Sequence, residues 1–394
     1  MSEIKQGYKQ TKVGIIPEDW EVVYFDDIFI FSTGKNIKQN EASPDFEIPC
    51  VRYGELYHMY DEIITKVINK TNLDKSELLF SKGNEILLPS AGEDPLDIGS
   101  ASALTLKNIA IGRTINVLRP SKKNIYSQEY IAYYINHQLK TKIASLAKGS
   151  SISNVYNSDL KKLKIPLPPL KEQEKIAEIL TTWDEAITKQ TELLEAKELQ
   201  KKALMQKLLS GEVRFDGFND EWEEVRLGDI GEFKTSSIDK IVNENEKLVN
   251  LINYMDVYRN KHIDQNFKCS ETSLKEEQYE KVNLKKGDIL FTPSSETPDD
   301  IGHSAVILED LLNTIYSYHL VRFRPKKSID LKFSGYVFNN VDILKEFAKR
   351  ANGSTRFTLS IKDFNETKAK FPSLPEQQKI AEVLSLSDAE INLL

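Results

Sequence analysis

Short apolar runs alternate with turn-forming residues through both halves of the chain. Runs of this kind, bounded by glycine and proline, predict short strands. In the first half the predicted strands are Val22–Phe25, Ile48–Val51, Glu85–Leu88, Ala110–Leu118 and Leu163–Ile165. Two other stretches repeat apolar residues every three or four positions, which predicts helices at Ser127–Leu146 and Ser334–Ala351. The pattern indicates mixed α+β domains in which strands outnumber helices.

A longer periodicity begins after the proline-rich segment "IPLPP" at 165–169. Apolar residues then recur at alternating four- and three-residue spacing, as in a helix that packs along one seam against a partner helix. The seam residues are Ile176, Leu180, Trp183, Ile187, Leu194, Leu204 and Leu208, with interruptions at Gln190, Lys197 and Lys201. We expect Gly211 to cap this helix at its C-terminus. A helix of ~40 residues rises on the order of 60 Å, so we interpret it as a spacer arm between two domains.

The opening of this helix occurs twice. Segments 168–187 and 372–391 share eleven identities in twenty positions without a gap. Matches in the same order link 17–28 with 219–230, 82–101 with 286–305, and 147–154 with 351–358. The offset stays near 201 to 205 residues, which is far too long for a solenoid repeat, so each copy is interpreted as a domain.

The repeat predicts four segments. They are a first domain at 1–167, a spacer helix at 168–211, a second domain at 212–371 and the start of a second spacer helix at 372–394. The second helix is cut short at Leu394. We therefore expect the partner of the first arm to come either from a longer form of the protein or from a second chain of the same kind.

Composition excludes some classes of protein. The chain is 40% hydrophobic and 29% charged, it has no apolar run near the ~18 residues of a membrane span, and its N-terminus lacks the apolar core of a signal peptide. We expect a cytoplasmic protein that does not associate with a membrane. Cys50 and Cys269 lie far apart and predict reduced thiols. Five scattered histidines show no ligand spacing, so we expect no bound metal.

The net charge of -7 hides an uneven distribution. Residues 102–165 contain eleven Lys or Arg and two acidic residues, about +9, and residues 302–370 contain twelve basic and seven acidic residues, about +5. Separate basic zones in an acidic chain favour local contact with a polyanion, although each zone alone is also compatible with a solvated lysine-rich surface.

Several motifs carry a family resemblance. "IPEDWEVVYFDDI" and "EWEEVRLGDI" begin the two domains, "KGDIL" lies in the second, and "PLPPLKEQEKIAEIL" and "FPSLPEQQKIAEVL" lead into the helices. In these motifs the chain resembles the specificity subunit of a Type I restriction–modification system over essentially its whole length.

The resemblance implies a DNA-binding role without catalysis. Each globular unit would be a target-recognition domain that reads one half of a bipartite sequence in double-stranded DNA. The helices would form an antiparallel spacer that sets the gap and docks two modification (methyltransferase) subunits, and restriction subunits would join that core. Cofactors would belong to these partner subunits, which are expected to use S-adenosylmethionine, ATP and Mg²⁺, and none would be bound by this chain.

Loop residues that are basic, hydroxylated or aromatic are the candidates for DNA contact, because phosphate contacts position a protein and base-edge contacts specify sequence. In the first copy they are Ser32, Thr33, Lys35, Arg52, Tyr53, Ser90, Arg113, Lys148, Ser150 and Ser151. In the second copy they are Lys234, Thr235, Ser236, Asn253, Tyr254, Ser294, Ser295, Arg350, Ser354, Thr355 and Arg356. Any one of them is equally compatible with an ordinary surface position.

Two other classes of function remain open. A self-sufficient restriction or modification enzyme would need its own catalytic motif. The chain has no GxxxxGK[ST], no "NPPF"-like motif, and its one PD-x-E run, "PDFEIP", lacks the following lysine. Acidic pairs within 93–97 and 296–300 would suit either Mg²⁺ or the capping of loops. A scaffold that tethers methyltransferases without reading sequence is the third class.

Overall fold

The structure is a computed structural model that describes residues 4–149 and 151–394. The chain divides after Ile187 into two compact units. Each unit is a mixed α+β body, which confirms the predicted fold class. Among the described residues, no helix combines the length and the apolar character needed to cross a membrane.

The described residues of the first unit form fifteen short strands. They are β1 (Tyr8–Thr11), β2 (Gly14–Pro17), β3 (Glu21–Tyr24), β4 (Phe29–Thr33), β5 (Ile48–Val51), β6 (Ile63–Ile64), β7 (Lys70–Thr71), β8 (Phe80–Lys82), β9 (Glu85–Pro89), β10 (Ala91–Gly92), β11 (Ser102–Leu104), β12 (Lys107–Ile111), β13 (Ile115–Pro120), β14 (Ser153–Asn154) and β15 (Lys164–Leu167).

Six short helices and the start of a long one complete this unit. They are α1 (Phe25–Ile28), α2 (Glu55–His58), α3 (Pro95–Ile98), α4 (Gln128–Tyr134), α5 (Lys140–Ser145), α6 (Asn157–Leu160) and α7 (Leu170–Ser210), which continues past the division. A π-helical segment, Ile135–Leu139, joins α4 to α5, and single 3₁₀ turns lie at Gln39–Glu41 and Lys75–Glu77.

The second unit has twelve strands and seven helices beyond α7. The strands are β16 (Glu223–Arg226), β17 (Gly231–Thr235), β18 (Lys247–Ile252), β19 (His262–Ile263), β20 (Ser270–Leu274), β21 (Ile289–Phe291), β22 (Ser294–Ser295), β23 (Ser304–Ile307), β24 (Thr314–Tyr316), β25 (Val321–Pro325), β26 (Phe357–Thr358) and β27 (Lys368–Phe371). The helices are α8 (Leu227–Ile230), α9 (Tyr254–Arg259), α10 (Glu276–Val282), α11 (Leu331–Val337), α12 (Val341–Arg350), α13 (Ile361–Glu366) and α14 (Leu374–Leu393).

The main sheets of the two units have the same topology, whereas the smaller sheet has four strands in the first unit and three in the second. A five-stranded sheet has the order β4-β13-β9-β11-β6 in the first unit and β17-β25-β21-β23-β19 in the second. A second, smaller sheet contains a parallel pair in each unit, β5 with β12 and β18 with β24. Two-stranded ribbons, β3-β15 and β16-β27, join the beginning of each domain to its end. The internal repeat in the sequence is therefore a repeat of the fold.

The core of each unit lies between the five-stranded sheet and the helices. In the first unit Phe25, Ile86 and Ile131 belong to one buried cluster, and in the second unit Phe291, Phe323 and others do so. Burying apolar side chains of this size is the main favourable contribution to folding.

One predicted strand is wrong because it joins two. The apolar run Ala110–Leu118 is divided between β12 and β13, which belong to different sheets. Thr114 has a φ of 66°, in the left-handed region, at the turn between them. Buried residues at 110–111 and 115–118 lie on either side of Gly112, Arg113 and Thr114, so the apolar pattern resumes after the turn and the two strands resemble one. The other four predicted strands agree with the structure to within two residues at either end.

The predicted helix at Ser334–Ala351 is also divided. Helix α11 ends at Val337 and α12 begins at Val341. Asn340 precedes α12 and donates its side-chain amide to the carbonyl oxygen of Leu209, and the side-chain amide of Asn339 donates to the carbonyl groups of Ser304 and Gly335, so both asparagines stabilise the break. By contrast, the predicted helix Ser127–Leu146 is continuous in helical conformations, and the Ser127 hydroxyl caps its start.

The predicted long helix is confirmed as α7, which has 41 residues. Gly211 follows it with a φ of 76°, as expected for a C-terminal glycine cap. The repeated opening forms α14, whose first turn contains Pro375, and proline is tolerated there because first-turn N–H groups have no helical partner. The predicted domain boundaries at 167, 211 and 371 remain a prediction.

Candidate nucleic-acid interface and helical arms

In the first unit, backbone hydrogen bonds join three loops at one end of the sheets. The amide of Gly112 donates to the carbonyl oxygen of Val51 at 2.8 Å, and the amide of Arg113 donates to the carbonyl oxygen of Asn36 at 2.8 Å. The loops after β4 and β5 therefore meet the turn between β12 and β13. The predicted residues gathered here are Thr33, Lys35, Arg52, Tyr53 and Arg113.

The remaining loops of the first copy continue this row. Ser90 donates its amide to the carbonyl oxygen of Thr114 at 2.9 Å and accepts from the amide of Val155 at 3.0 Å. Lys148 and Asn154 exchange two backbone hydrogen bonds, which closes the loop that contains the exposed Ser151. Ser150 lies outside the described residues. Scattered positions in the sequence thus belong to one connected set of loops.

The basic candidates of this copy differ in their side-chain partners. The guanidinium of Arg52 donates to the buried Glu55 carboxylate at 2.8 Å. The Lys148 ammonium donates to Asp159 at 3.0 Å and holds the pKa of that carboxyl below its usual value. Lys35 and Arg113 are exposed and form no ion pair with any described residue. Their charges are therefore the more available ones for a polyanion.

Ser32 lies deeper, at the end of β4. Its hydroxyl accepts from Arg119 at 3.2 Å, and its carbonyl oxygen accepts from the Asn157 amide at 3.2 Å. These contacts connect the end of β4 to β13 and α6. They make Ser32 a support of the loop as well as a predicted DNA contact.

The second unit joins its loops in the same way. The amide of Ser317 donates to the carbonyl oxygen of Ile252 at 3.0 Å, and the amide of Tyr318 donates to the carbonyl oxygen of Ile238 at 2.9 Å. These bonds correspond to the two made by Gly112 and Arg113, so Tyr318 occupies the place of Arg113. Tyr318 is 46% exposed, and its ring lies 3.8 Å from the ring of His319.

Several predicted residues of the second copy meet around Ser294. The Tyr254 hydroxyl donates to its carbonyl oxygen at 2.8 Å, and the Arg356 guanidinium donates to its hydroxyl at 3.1 Å. The neighbouring Ser295 is buried, whereas Ser354 and Thr355 are exposed on the same loop as Arg356. The structure therefore brings these six predicted positions together.

The other predicted residues of this copy lie apart or have internal partners. Asn253 is 9% exposed and its amide donates to the carbonyl oxygen of Leu251 at 3.2 Å, so that the amide mainly supports the start of α9. Arg350 is directed to Glu366, 3.4 Å away. Lys234 pairs with Glu232 at 3.2 Å, and Thr235 and Ser236 follow it at the end of β17. DNA contact by any of these residues remains a prediction.

Each copy contains a pair of neighbouring tyrosines, of which only the first, Tyr53 or Tyr254, was predicted from the sequence. Tyr53 and Tyr57 lie with their ring centroids 6.4 Å apart, and Tyr254 and Tyr258 lie 6.1 Å apart and nearly parallel. A hydrogen bond to the Asp300 carboxylate raises the pKa of Tyr258. Exposed aromatic faces beside basic loops can stack on bases. The signal was available as the Y-x₃-Y spacing in "RYGELYH" and "NYMDVYR".

The acidic loops have local partners. Asp94 accepts from the amide of Leu96 at 2.8 Å and so caps α3, while Asp300 accepts from Tyr258 and lies 2.8 Å from the His303 ring nitrogen. Among residues 4–149 and 151–394, no group of three or more His, Cys, Asp or Glu side chains is arranged to hold a metal ion.

Each arm is anchored to its own domain by a buried glutamine. Gln173 accepts from the amide of Ser127 at 2.9 Å and donates to the carbonyl oxygen of Pro168 at 2.7 Å. Gln377 repeats both contacts, with the amide of Asp330 at 3.0 Å and the carbonyl oxygen of Pro372 at 2.9 Å. Ser127 and Asp330 are the residues that cap α4 and α11. The repeated glutamine therefore links the start of each arm to the start of a domain helix.

A tyrosine–aspartate contact forms a second anchor two to three turns further along the arm. The Tyr133 hydroxyl donates to Asp184 and lies 3.4 Å from the Thr181 hydroxyl. In the second unit the Tyr336 hydroxyl donates to Asp388 at 2.5 Å and lies 3.3 Å from the Ser385 hydroxyl. We call each of these contacts the tyrosine clamp. The two clamps use equivalent positions of the repeat.

The glutamate of the opening has a different partner in each copy. Glu172 accepts from the Trp20 indole at 3.1 Å. Glu376, which is 1% exposed, instead accepts two hydrogen bonds from Arg214 at 2.9 and 2.7 Å. Trp222, the counterpart of Trp20, leaves its buried indole N–H without a partner among the described residues. The two copies therefore hold the equivalent glutamate at the start of the arm with different side chains.

The predicted seam of α7 is covered at one end. In the second unit Leu204 and Leu208 pack in the core with Ile380 and Leu384 of α14. In the first unit Ile176 packs against the core, whereas Leu180 and Trp183 are 37% and 66% exposed. Leu194 is partly buried and Ile187 is 61% exposed.

The residues that interrupt the seam pair with α14. Gln190 donates to the carbonyl oxygen of Leu394 at 2.7 Å, Lys197 lies 2.6 Å from Glu390, and Lys201 pairs with Asp388. In these contacts the residue numbers rise along α7 as they fall along α14, so the two helices are antiparallel in the second unit. The polar interruptions are therefore contact positions on the same face.

Comparisons with known proteins agree with this architecture. Residues 17–198 and 219–394 match the family model described as "Type I restriction modification DNA specificity domain". The Type I restriction enzyme MjaVIII specificity subunit of Methanocaldococcus jannaschii is 26% identical over 407 residues, covering 99% of this chain and 91% of that protein. Another relative from the same organism is 30% identical over 253 residues, covering 58% of this chain and 57% of that relative. The chain thus spans little more than half the length of one relative and about nine tenths of the other.

The crystal structure of a Type-I restriction-modification system S subunit from M. genitalium matches with a TM-score of 0.57 and 19% identity, covering 95% of this chain and 90% of that chain. At this level of identity the match shows a shared fold.

Proposed function

The chain belongs to the family of Type I restriction modification DNA specificity domains, and on this premise we propose that it is the subunit that selects the DNA sequence in a Type I restriction–modification complex. Each unit reads one half of a bipartite target in double-stranded DNA. The chain itself performs no catalysis.

The observation that carries this proposal is that one family model matches both halves, and that each half collects its basic and aromatic loop residues at one set of joined loops. Two copies of one fold with different loop residues suit the reading of two different half-sites, whereas identical copies would suit a palindrome. Arg113 and Arg356 are the first candidates for direct readout, because an exposed guanidinium can donate two hydrogen bonds to guanine.

The arms have a structural part in the same proposal. Helix α7 is continuous for 41 residues, and a helix without a break is a stiff connection. We propose that it sets the gap between the two half-sites and, with α14, docks two modification subunits. Those subunits would transfer a methyl group from S-adenosylmethionine to adenine, and restriction subunits would use ATP and Mg²⁺. A protein with this role works beside chromosomal DNA, and we place it in the cytoplasm on that ground.

Mapping of methylated adenines in cells with and without the chain tests the proposal and identifies both half-sites and their gap. With the sites known, Arg113→Ala and Arg356→Ala are each assayed on duplexes in which one half-site at a time is scrambled. Each substitution should remove about 1–3 kcal/mol of discrimination at its own half-site and leave the other half-site unaffected. Arg226→Ala, an exposed arginine on the β16-β27 ribbon, is the matched control.

Three outcomes would contradict the proposal. Equal binding to intact and scrambled duplexes would indicate a scaffold that does not read sequence. Cleavage or methylation of DNA by the purified chain alone would indicate a self-sufficient enzyme. An equal loss of binding affinity for every duplex after Arg356→Ala would indicate that this residue contacts phosphate and does not read a base.

A further inference from the structure

A basic cleft of about 580 Å³ lies in the second unit, away from the joined loops. Four elements contribute to its walls. The contributing side chains are Lys201 from α7, Arg259 from the end of α9 with Lys261 just after it, Lys332 and Tyr336 from α11, and Asp388 from α14. Its volume is within the ~300–1,000 Å³ of ordinary ligand sites.

The charges that line this cleft do not balance. Four cationic side chains, Lys201, Arg259, Lys261 and Lys332, meet one carboxylate, Asp388. Asp388 is already engaged by Lys201 and by the tyrosine clamp. Arg259 and Lys332 are exposed and form no ion pair with the described part of the chain. The excess is about three positive charges, more than one additional carboxylate would neutralise.

Lys261 is the least compensated of the four. Its ammonium lies 3.7 Å from the sulfur of Met205 and 5.7 Å from the centre of the Tyr336 ring, and neither group is an anion. Burial, together with the neighbouring Lys201, lowers the pKa of Lys261 to about 8. Partial burial of an ammonium without a counter-ion is costly. An anion in the cleft would remove that cost.

The first unit shows that these lysines are not needed to attach an arm. The backbone carbonyl oxygen of Glu62 accepts from the amide of Ala103 at 2.7 Å. The backbone carbonyl oxygen of Lys261 accepts in the same way from the amide of Val306 at 2.9 Å. Glu62 and Lys261 therefore occupy equivalent positions in the two copies. Glu62 accepts from the Asn136 amide at 3.1 Å. The tyrosine clamp is thus complete beside an acidic residue in one copy and beside a lysine cluster in the other. The tyrosine clamp therefore does not explain why lysines are gathered in the second unit.

We propose that this cleft binds a phosphate group. A lysine ammonium is a compact point charge that binds phosphate, the guanidinium fork of arginine matches phosphate as well, and the four cations here are three lysines and one arginine. A phosphate can carry two negative charges, so it offsets more of the excess than a single carboxylate does. This inference rests on the proposed function in one respect, since the source of the phosphate that we favour is the DNA backbone outside the two half-sites.

The test uses the full chain and two probes, inorganic pyrophosphate and a random-sequence duplex that contains neither half-site. Binding is measured by calorimetry for pyrophosphate and by fluorescence anisotropy at several salt concentrations for the duplex. Lys261→Gln and Arg259→Gln should each weaken binding by about tenfold and reduce the slope of log affinity against log salt by about one. Glu62→Gln, at the equivalent position of the first copy, should change neither probe. Because Arg259 is exposed, its variant keeps the test valid if Lys261→Gln does not fold.

Each outcome either identifies the source of the phosphate that the cleft binds or contradicts the inference. Loss of duplex binding, with or without loss of pyrophosphate binding, assigns the cleft to backbone phosphate. Loss of pyrophosphate binding alone assigns it to a free phosphorylated molecule. Unchanged binding of both probes overturns the inference, as does an equal effect of Glu62→Gln. Half-site discrimination, measured with Arg113→Ala and Arg356→Ala, is independent of the cleft and shows separately whether the proposed function holds.

Discussion

The two units attach their arms through the same buried anchors but surround those arms differently. Gln173 and Gln377 make the same two hydrogen bonds, and both tyrosine clamps are present. Leu180 and Leu384 occupy equivalent positions of the arms, yet Leu180 is 37% exposed and Leu384 is fully buried. The difference arises because the last turns of α7 cover α14 in the second unit.

This comparison separates what the repeat itself determines from what the rest of the chain adds. The anchors depend on residues within one copy, so they are the same in both. Burial of the arm position occupied by Leu180 or Leu384 depends on a second helix. In the second unit the C-terminal part of α7 is that helix, and it covers α14 with Leu204 and Leu208. Identical local sequence can therefore have a different energetic role in each copy.

The two leucines should show the largest contrast. Leu384→Ala removes a fully buried side chain and should destabilise the second unit by about 2–5 kcal/mol, through lost burial and the cavity left behind. Leu180→Ala makes the same chemical change at a partly exposed position and should cost less than about 1 kcal/mol. Denaturant unfolding, with hydrogen exchange resolved to each unit, measures both. Equal costs would mean that α7 does not cover α14 in solution.

The repeat in the sequence was sufficient to predict the two domains of like fold and the long helix, because periodic apolar positions and identical helix openings are local signals. The division of Ala110–Leu118 was missed because buried residues at 110–111 and 115–118 flank the turn, and Gly112, Arg113 and Thr114, which mark it, were read as part of one strand. The break before α12 was hidden for a related reason. Its two asparagines are read as ordinary polar positions until their partners are known.

The contacts of the site required the structure for a different reason. No role was predicted for Gln173, because its partner Ser127 is 46 positions away in the chain. Lys201 was predicted only as an interruption of the seam, and no role was predicted for Lys261. Their proximity depends on how α7 packs against the second domain. Which loop residues touch DNA is still a prediction, and the exposure of Lys35, Arg113 and Arg356 only ranks them.

The glutamine anchors should have an intermediate and equal effect in the two copies. Gln173→Ala and Gln377→Ala each leave a backbone N–H and a carbonyl oxygen buried without a partner, which should cost about 2–4 kcal/mol in the corresponding unit. The exposed Gln138 and Gln206 provide matched controls, one in each unit, whose substitution by alanine should change stability by less than about 0.5 kcal/mol. A clear inequality between the two anchors would show that the copies are not attached in the same way.

The tyrosine clamps should show the smallest effect, and here the copies should differ. Tyr133→Phe removes a hydrogen bond to the charged Asp184, which should destabilise the first unit by about 1.5–3 kcal/mol. Tyr336→Phe removes the same bond, but Asp388 keeps its ion pair with Lys201, so the cost should fall to about 1 kcal/mol.

Unfolding of the two variants measures this difference, with Tyr156→Phe and Tyr318→Phe as exposed controls in the first and second units. The double substitution Tyr336→Phe with Lys201→Gln should raise the cost in the second unit towards that of Tyr133→Phe, because Asp388 then loses both partners. If the double variant is no less stable than Tyr336→Phe alone, Lys201 does not support Asp388. In that case the charge of Lys201 acts only on the basic cleft, and it makes no contribution to the tyrosine clamp of the second unit.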